Sequence, residues 1–119
     1  RWTYDDPGLL SASAVAPLPE GLVFAGHVRA PIGGATAPVQ GGTAAAVVRL
    51  SADGTMLGSF VCDGEGTDLG VAVASGADGE VVWGGELSPG SDCAPEARSP
   101  VGFAARLLAG PAGFPEPSP

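Results

Sequence analysis

The chain has 119 residues, 20 of them Gly and 12 Pro, yet 45% are hydrophobic and the mean hydropathy is positive. Such a chain offsets its ordering entropy by burial, which excludes disorder for all but the ends. Five Arg and no Lys against 13 acidic residues leave a net charge of −8, which excludes nucleic acid and anionic membranes as electrostatic partners.

No apolar run approaches the roughly 18 residues of a membrane-spanning helix, and no long 3.6-period stripe is present. Short apolar runs separated by Gly, Pro and Asp predict strands instead. In chain order they fall at about 13–17 (SAVAP), 22–29 (LVFAGHVR), 43–50 (TAAAVVRL), 55–62 (TMLGSFVC), 71–75 (VAVAS), 80–87 (EVVWGGEL) and 101–108 (VGFAARLL). Ala52-Asp53-Gly54 and Ala77-Asp78-Gly79 are tight-turn sequences, because Asp and Gly tolerate the positive φ of hairpins. The turn at Leu18-Pro19-Glu20 lacks that Asp. An eighth strand is expected near Phe114, where the chain turns into Pro-rich PEPSP.

These strands fall into two copies of one unit. Shifted by 58 residues, Trp2–Arg29 aligns with Phe60–Leu87 without a gap. The identities are Asp5/Asp63, Gly8/Gly66, Ala14/Ala72, Val15/Val73, Ala16/Ala74, Gly21/Gly79, Val23/Val81 and Gly26/Gly84. Arg49-Leu50 then matches Arg106-Leu107 at an offset of 57. The chain thus divides into repeats 2–58 and 60–114 and a tail 115–119, one β-repeat domain in all. Trp2-Thr3-Tyr4 matches the end of a fourth strand, so the chain is expected to begin with the strand its last repeat lacks. AAAVVRL and VAVAS are apolar or small on both faces, as in strands buried on both sides by stacked sheets. The alternative is a single β-sandwich, whose strands would show one polar face.

The run SFVCDGEGTDLGVAVASGADGEVVWGGEL, followed by GFAARLL, resembles the β-propeller repeats of large secreted bacterial proteins; AVAPLPEGLVFAGHV with AAAVVRLSADGTML carries the same pattern. The resemblance covers nearly all of residues 2–114. It implies an all-β fold of two four-stranded antiparallel propeller blades, an exported protein, and a binding or structural module. Two blades do not close a ring, since propellers typically have 4–8. Either further blades of a longer chain complete it, or copies of this chain self-associate head to tail, three making six blades and four making eight. The chain opens on Arg1 rather than Met, the mark of an upstream segment removed or left out.

In an up-and-down blade the strand 4→1 and 2→3 connections share one end. That end collects residues 5–12, 29–42, 63–70 and 88–100, and long loops on a rigid scaffold are where binding resides. Its acidic residues, Asp5, Asp6, Asp63, Glu65, Asp68, Asp92 and Glu96, are the candidate binding positions for a carbohydrate or protein ligand. Asp63-x-Glu65-x-Thr67 spaces oxygen ligands like the start of a calcium loop. It lacks Gly at the sixth position and has Ala74 at the twelfth, so a solvated loop without cofactor is preferred over bound calcium. Cys62 and Cys93 fall at one end of the second unit and are expected to form a disulfide, at home in a secreted protein. Two cysteines and His27 do not make a four-ligand structural zinc site. His27 reads as a strand-end residue exposed to solvent, and Trp2 and Trp83 as packing between blades. No G-x-S-x-G, H-E-x-x-H or P-loop is present. A non-enzymatic module is therefore expected. The rival is a fragment of a propeller-type hydrolase or lyase using the loop-face carboxylates.

Overall fold

A computed structural model describes residues 8–29, 43–64, 66–76, 79–107 and 117–118. Eight strands run in chain order: β1 (Leu9–Leu18), β2 (Gly21–Val28), β3 (Ala44–Ser51), β4 (Met56–Cys62), β5 (Leu69–Ser75), β6 (Val81–Leu87), β7 (Val101–Leu107) and the short β8 (Pro117–Ser118). They form two antiparallel sheets with strands in sequential order, β1-β2-β3-β4 and β5-β6-β7-β8, and no helix among the described residues. The strand runs read from the sequence match within a few residues, except that β1 begins at Leu9 and β5 at Leu69. Phe114 and Trp2-Thr3-Tyr4 lie outside the described residues. The place beside β7 is taken by the tail, where Pro117 and Ser118 pair with Leu107 and Arg106.

The turn residues act as their chemistry dictates. Between β3 and β4, Gly54 adopts φ +89°, and the Ser51 and Thr55 backbones close the turn with an N–H to O distance of 2.8 Å. Gly79, before β6, adopts φ +76°. These are left-handed conformations that glycine adopts without a Cβ clash.

Sequence and structure part company over register. In the first unit Leu18 pairs with Gly21 around a two-residue turn. In the second, Ser75 pairs with Val81, and the Gly76 N–H donates to the Glu80 carbonyl, leaving a three-residue loop. The extra residue slides β6 by one position relative to the gapless alignment. The structural counterparts are Phe24 and Trp83, Gly26 and Gly85, and Val28 and Leu87, in place of Gly26/Gly84 and Val23/Val81. Gly26 lies against the Ser11 carbonyl as Gly85 lies against that of Leu69, where no Cβ fits. Because side chains alternate, a one-residue slip turns every β6 side chain to the other face. Both units retain a bulge at the same place in the first strand, between Ala12 and Ala14 and between Gly70 and Ala72.

The two sheets pack face to face, β5 against β1, β2 and β3, and β6 against β3. One core cluster spans them, with Ala16, Val23, Ala25, Ala45 and Val47 from the first sheet and Val81, Trp83, Leu87 and Leu107 from the second. Approach is closest at β5, where a Cβ on Gly70 would stand 2.7 Å from the Gly26 carbonyl oxygen and 3.1 Å from that of Ala46. Toward β4 and β7 the gap widens and aromatic rings fill it. Trp83 stands edge-on to Phe103 at 4.9 Å and to Phe60 at 6.5 Å between ring centroids. Geometry of this kind contributes about 0.5–1.5 kcal/mol per pair beyond area burial.

Strand β3 is buried on both faces, as its composition implies, and a second cluster (Phe24, Val28, Ala44, Ala46, Val48, Leu50) lies on the opposite face of the first sheet. The expectation fails for VAVAS: Val71, Ala72, Ala74 and Ser75 are exposed and only Val73 is half-buried. Their apolar character therefore reflects an uncovered sheet face. An ion pair recurs at the hairpin end of each unit, Arg49 with Glu20 and Arg106 with Glu80, the latter at 3.5 Å. Arg49 is buried, and desolvation pulls its guanidinium below the usual arginine value.

Candidate functional site

The described parts of all four long connections meet at one end, as the strand order requires. The Arg29 N–H donates to the Gly8 carbonyl at 2.9 Å, joining the start of β1 to the end of β2. The Asp68 N–H donates to the Thr43 carbonyl at 3.0 Å, and the Thr43 hydroxyl returns a bond of 3.0 Å to the Asp68 carbonyl. This ties the β4–β5 connection to the start of β3.

The β4–β5 and β6–β7 connections are braced more heavily. Cys62, the last residue of β4, is bonded to Cys93, with 5.5 Å between their Cα atoms. Cys62 belongs to the first sheet and Cys93 to a loop of the second, so the bond staples the sheets together instead of closing one unit on itself. Beside it, the Asp63 N–H donates to the Asp92 carboxylate at 2.9 Å and the Asp92 N–H to the Asp63 carbonyl at 2.8 Å. The Gly66 N–H donates to the Ser88 hydroxyl at 3.1 Å, and the Ser88 N–H to the Asp68 carboxylate. Successive turns at Ser91 and Ala94 hold the remainder of the loop: the Ser91 N–H donates to the Ser88 carbonyl and the Ala94 N–H to that of Ser91.

This network assigns the candidate acids unequal parts. Asp63 and Asp68 are buried and organise the backbone of the connections. One Asp68 oxygen accepts the Ser88 N–H, and the other is buried without a hydrogen-bond partner among the described residues. Asp92 and Glu96 are exposed, Asp92 with one oxygen engaged by Asp63. Asp5, Asp6 and Glu65 lie outside the described residues, as does Trp2. Glu65 takes with it the middle of the calcium-loop spacing, whose Thr67 is exposed. Cys62, Asp92 and Cys93 form the one grouping of three potential metal ligands among the described residues, and its two sulfurs are bonded to each other. His27 is half-buried rather than solvent-exposed, with Nδ1 unpartnered, and its counterpart in the second sheet is Glu86.

A cleft of about 500 Å³ opens beside this rim, on the wide side of the gap between the sheets. Phe60 lines it from β4, Trp83 and Leu87 from β6, and Val101 and Phe103 from β7, while Asp92 and the disulfide border it. Trp83 is 1% exposed and its indole Nε1 has no hydrogen-bond partner. An aromatic wall and a carboxylate at the border suit a ligand with an apolar face and a polar edge. Sequence reasoning missed this cleft. The signal was present in Gly26 and Gly85, which align once one residue is inserted in the hairpin and which carry Trp83 to the inner face. No known protein-family model matches the chain, and no curated protein does.

Proposed function

We propose that this chain is a non-enzymatic binding module of an exported bacterial protein, two consecutive blade-like sheets of β-propeller type. Its ligand, a carbohydrate or a protein segment, is taken at the loop end. The observation that carries this reading is the placement of an aromatic-lined cleft against a rim fixed by a disulfide and reciprocal hydrogen bonds. A rigid rim lowers the ordering cost of binding. The propeller reading draws support from the sequential strand order, from the head-to-tail relation of the two sheets, and from a gap that is narrow at β5 and wide toward β4 and β7. The disulfide fits an oxidising compartment.

A glycan array followed by thermal-shift titration, with and without calcium, tests the proposal. A ligand held at 100 times its Kd stabilises by about 2.7 kcal/mol. Stabilisation by a glycan that Asp92→Asn, an exposed change at the border of the cleft, weakens, with calcium alone inert, supports the module. Release of reducing ends or unsaturated products from the glycan overturns it in favour of the hydrolase or lyase.

A further inference from the structure

We propose that the outer face of the second sheet is a self-complementary interface through which two copies of this chain pair about a two-fold axis. The face is built in rows. Ala74, Val82 and Arg106 stand side by side on β5, β6 and β7; Ala72, Gly84 and Ala104 form the next row; Glu86 and Gly102 the third. All are exposed except Gly84, which is half-buried, and Val82 is 41% exposed.

The first sheet shows what such a face is for. Its corresponding rows are Ala16, Val23 and Arg49, then Ala14, Ala25 and Val47, then His27 and Ala45. The first row repeats residue for residue, Ala, Val and Arg; in the second Gly84 and Ala104 stand for Ala25 and Val47, and in the third Glu86 and Gly102 stand for His27 and Ala45. In the first sheet these rows lie beneath the second sheet, with Val23, Ala25, Ala45 and Val47 at 0% exposure. The second sheet carries a related surface of small and apolar residues with nothing among the described residues over it.

Two features choose the occupant. A head-to-tail copy would have to offer the other face of its first sheet, whose middle strands are already buried, Phe24, Val28, Ala46 and Val48 each at 6% exposure or less, and where Val15 on the edge strand is exposed. The charges on the second sheet's outer face complement themselves, with Arg106 also 3.5 Å from Glu80 of its own chain. Arg106 sits at one end of the rows and Glu86 at the other, with small residues between. A two-fold axis across the strands, through the Gly84–Ala104 row, lays Arg106 over Gly102 of the partner subunit and beside Glu86 of the partner subunit. Gly102 leaves room for the guanidinium. Two copies then form a closed isologous pair. This inference rests on the duplication of the faces and is independent of the ligand-binding proposal.

Light scattering and sedimentation on the full chain across a concentration series, with circular dichroism to confirm folding, test it. The expected mass is twice that of the 11.6 kDa chain. Ala104→Glu, in the middle row, weakens pairing by about tenfold or more, since it buries a carboxylate without a partner. Val15→Glu, exposed on the first sheet, leaves pairing intact. Glu86→Arg and Arg106→Glu each weaken it, and combining them restores it. Should Ala104→Glu fail to fold, the exposed-site exchange at 86 and 106 decides alone. A monomer at every concentration, a dimer indifferent to Ala104→Glu, a double exchange that restores nothing, or a trimer or tetramer overturns the two-fold pair.

Discussion

Removing the Cys62–Cys93 bond, by reduction or by the paired Cys62→Ala and Cys93→Ala substitutions, probes the staple between the sheets. The two residues are 31 apart in sequence, and the intervening segment contains β5 and β6 entire. Chain-entropy reasoning for a loop of that length gives about 3.7 kcal/mol of stabilisation from restricting the unfolded chain. The reciprocal Asp63–Asp92 hydrogen bonds survive the change and keep the connections in register, so the loss falls on cooperation between sheets. For a domain of this size, that loss lowers the melting temperature by roughly 15 °C. Calorimetry on oxidised and reduced protein reads the magnitude. Hydrogen exchange reads its location: protection should fall in β4 as well as in the β6–β7 connection. A reduced protein that melts within about 1 kcal/mol of the oxidised one, or loses protection only in residues 88–100, refutes the inter-sheet staple.

Further outcomes follow from the same packing. Trp83→Ala empties the middle of the shared core and costs about 3–5 kcal/mol by denaturant titration, a large fraction of a small domain's stability. Gly70→Val places a side chain where the backbones of Gly26 and Ala46 already stand and costs about 1–3 kcal/mol, whereas the exposed Ser75→Val changes stability by less than about 0.5 kcal/mol. The Asp53 carboxylate, held first by the Ser51 hydroxyl and then by Thr55, titrates below the ordinary aspartate value of 3.8. Its folded pKa being depressed, its contribution is present above the unfolded value and disappears as pH falls through the folded one. Carbon-detected NMR titration should show a low Asp53 value that rises toward the ordinary one in Ser51→Ala, with the Thr55 hydrogen bonds retaining the remainder.

The strands and their order were legible because each apolar run is closed by a turn residue with a conformational reason to be there, as at Asp53-Gly54. The disulfide was legible because strand order alone brings residues 62 and 93 to one end. Its role was not, since assigning Cys62 to the second unit overlooked that β4 completes the first sheet. The register of β6 was hidden by a single residue in the hairpin at 76–80. In a chain so rich in Gly, Ala and Val, a gapless match and a one-residue gap give similar identities, yet they place Trp83 on opposite faces. Asp63 and Asp68 look like ligands in a Gly-rich run, and composition does not distinguish a carboxylate offered to solvent from one that is buried, as both are, or that accepts a backbone N–H, as Asp68 does from Ser88. Burial decides that, and burial depends on the loop at 88–94 folding across them.

A NOESY spectrum of methyl-labelled protein tests most directly the claim that the second sheet seats its Trp83 face on the first. The account predicts cross-peaks from the Trp83 indole to Phe60 and Phe103, and from Gly70 to Gly26 and Ala46, with none linking the Val82 methyls to the first sheet. Cross-peaks from Val82 to Val23 or Ala25, with Trp83 showing no contact to Phe60, would contradict it.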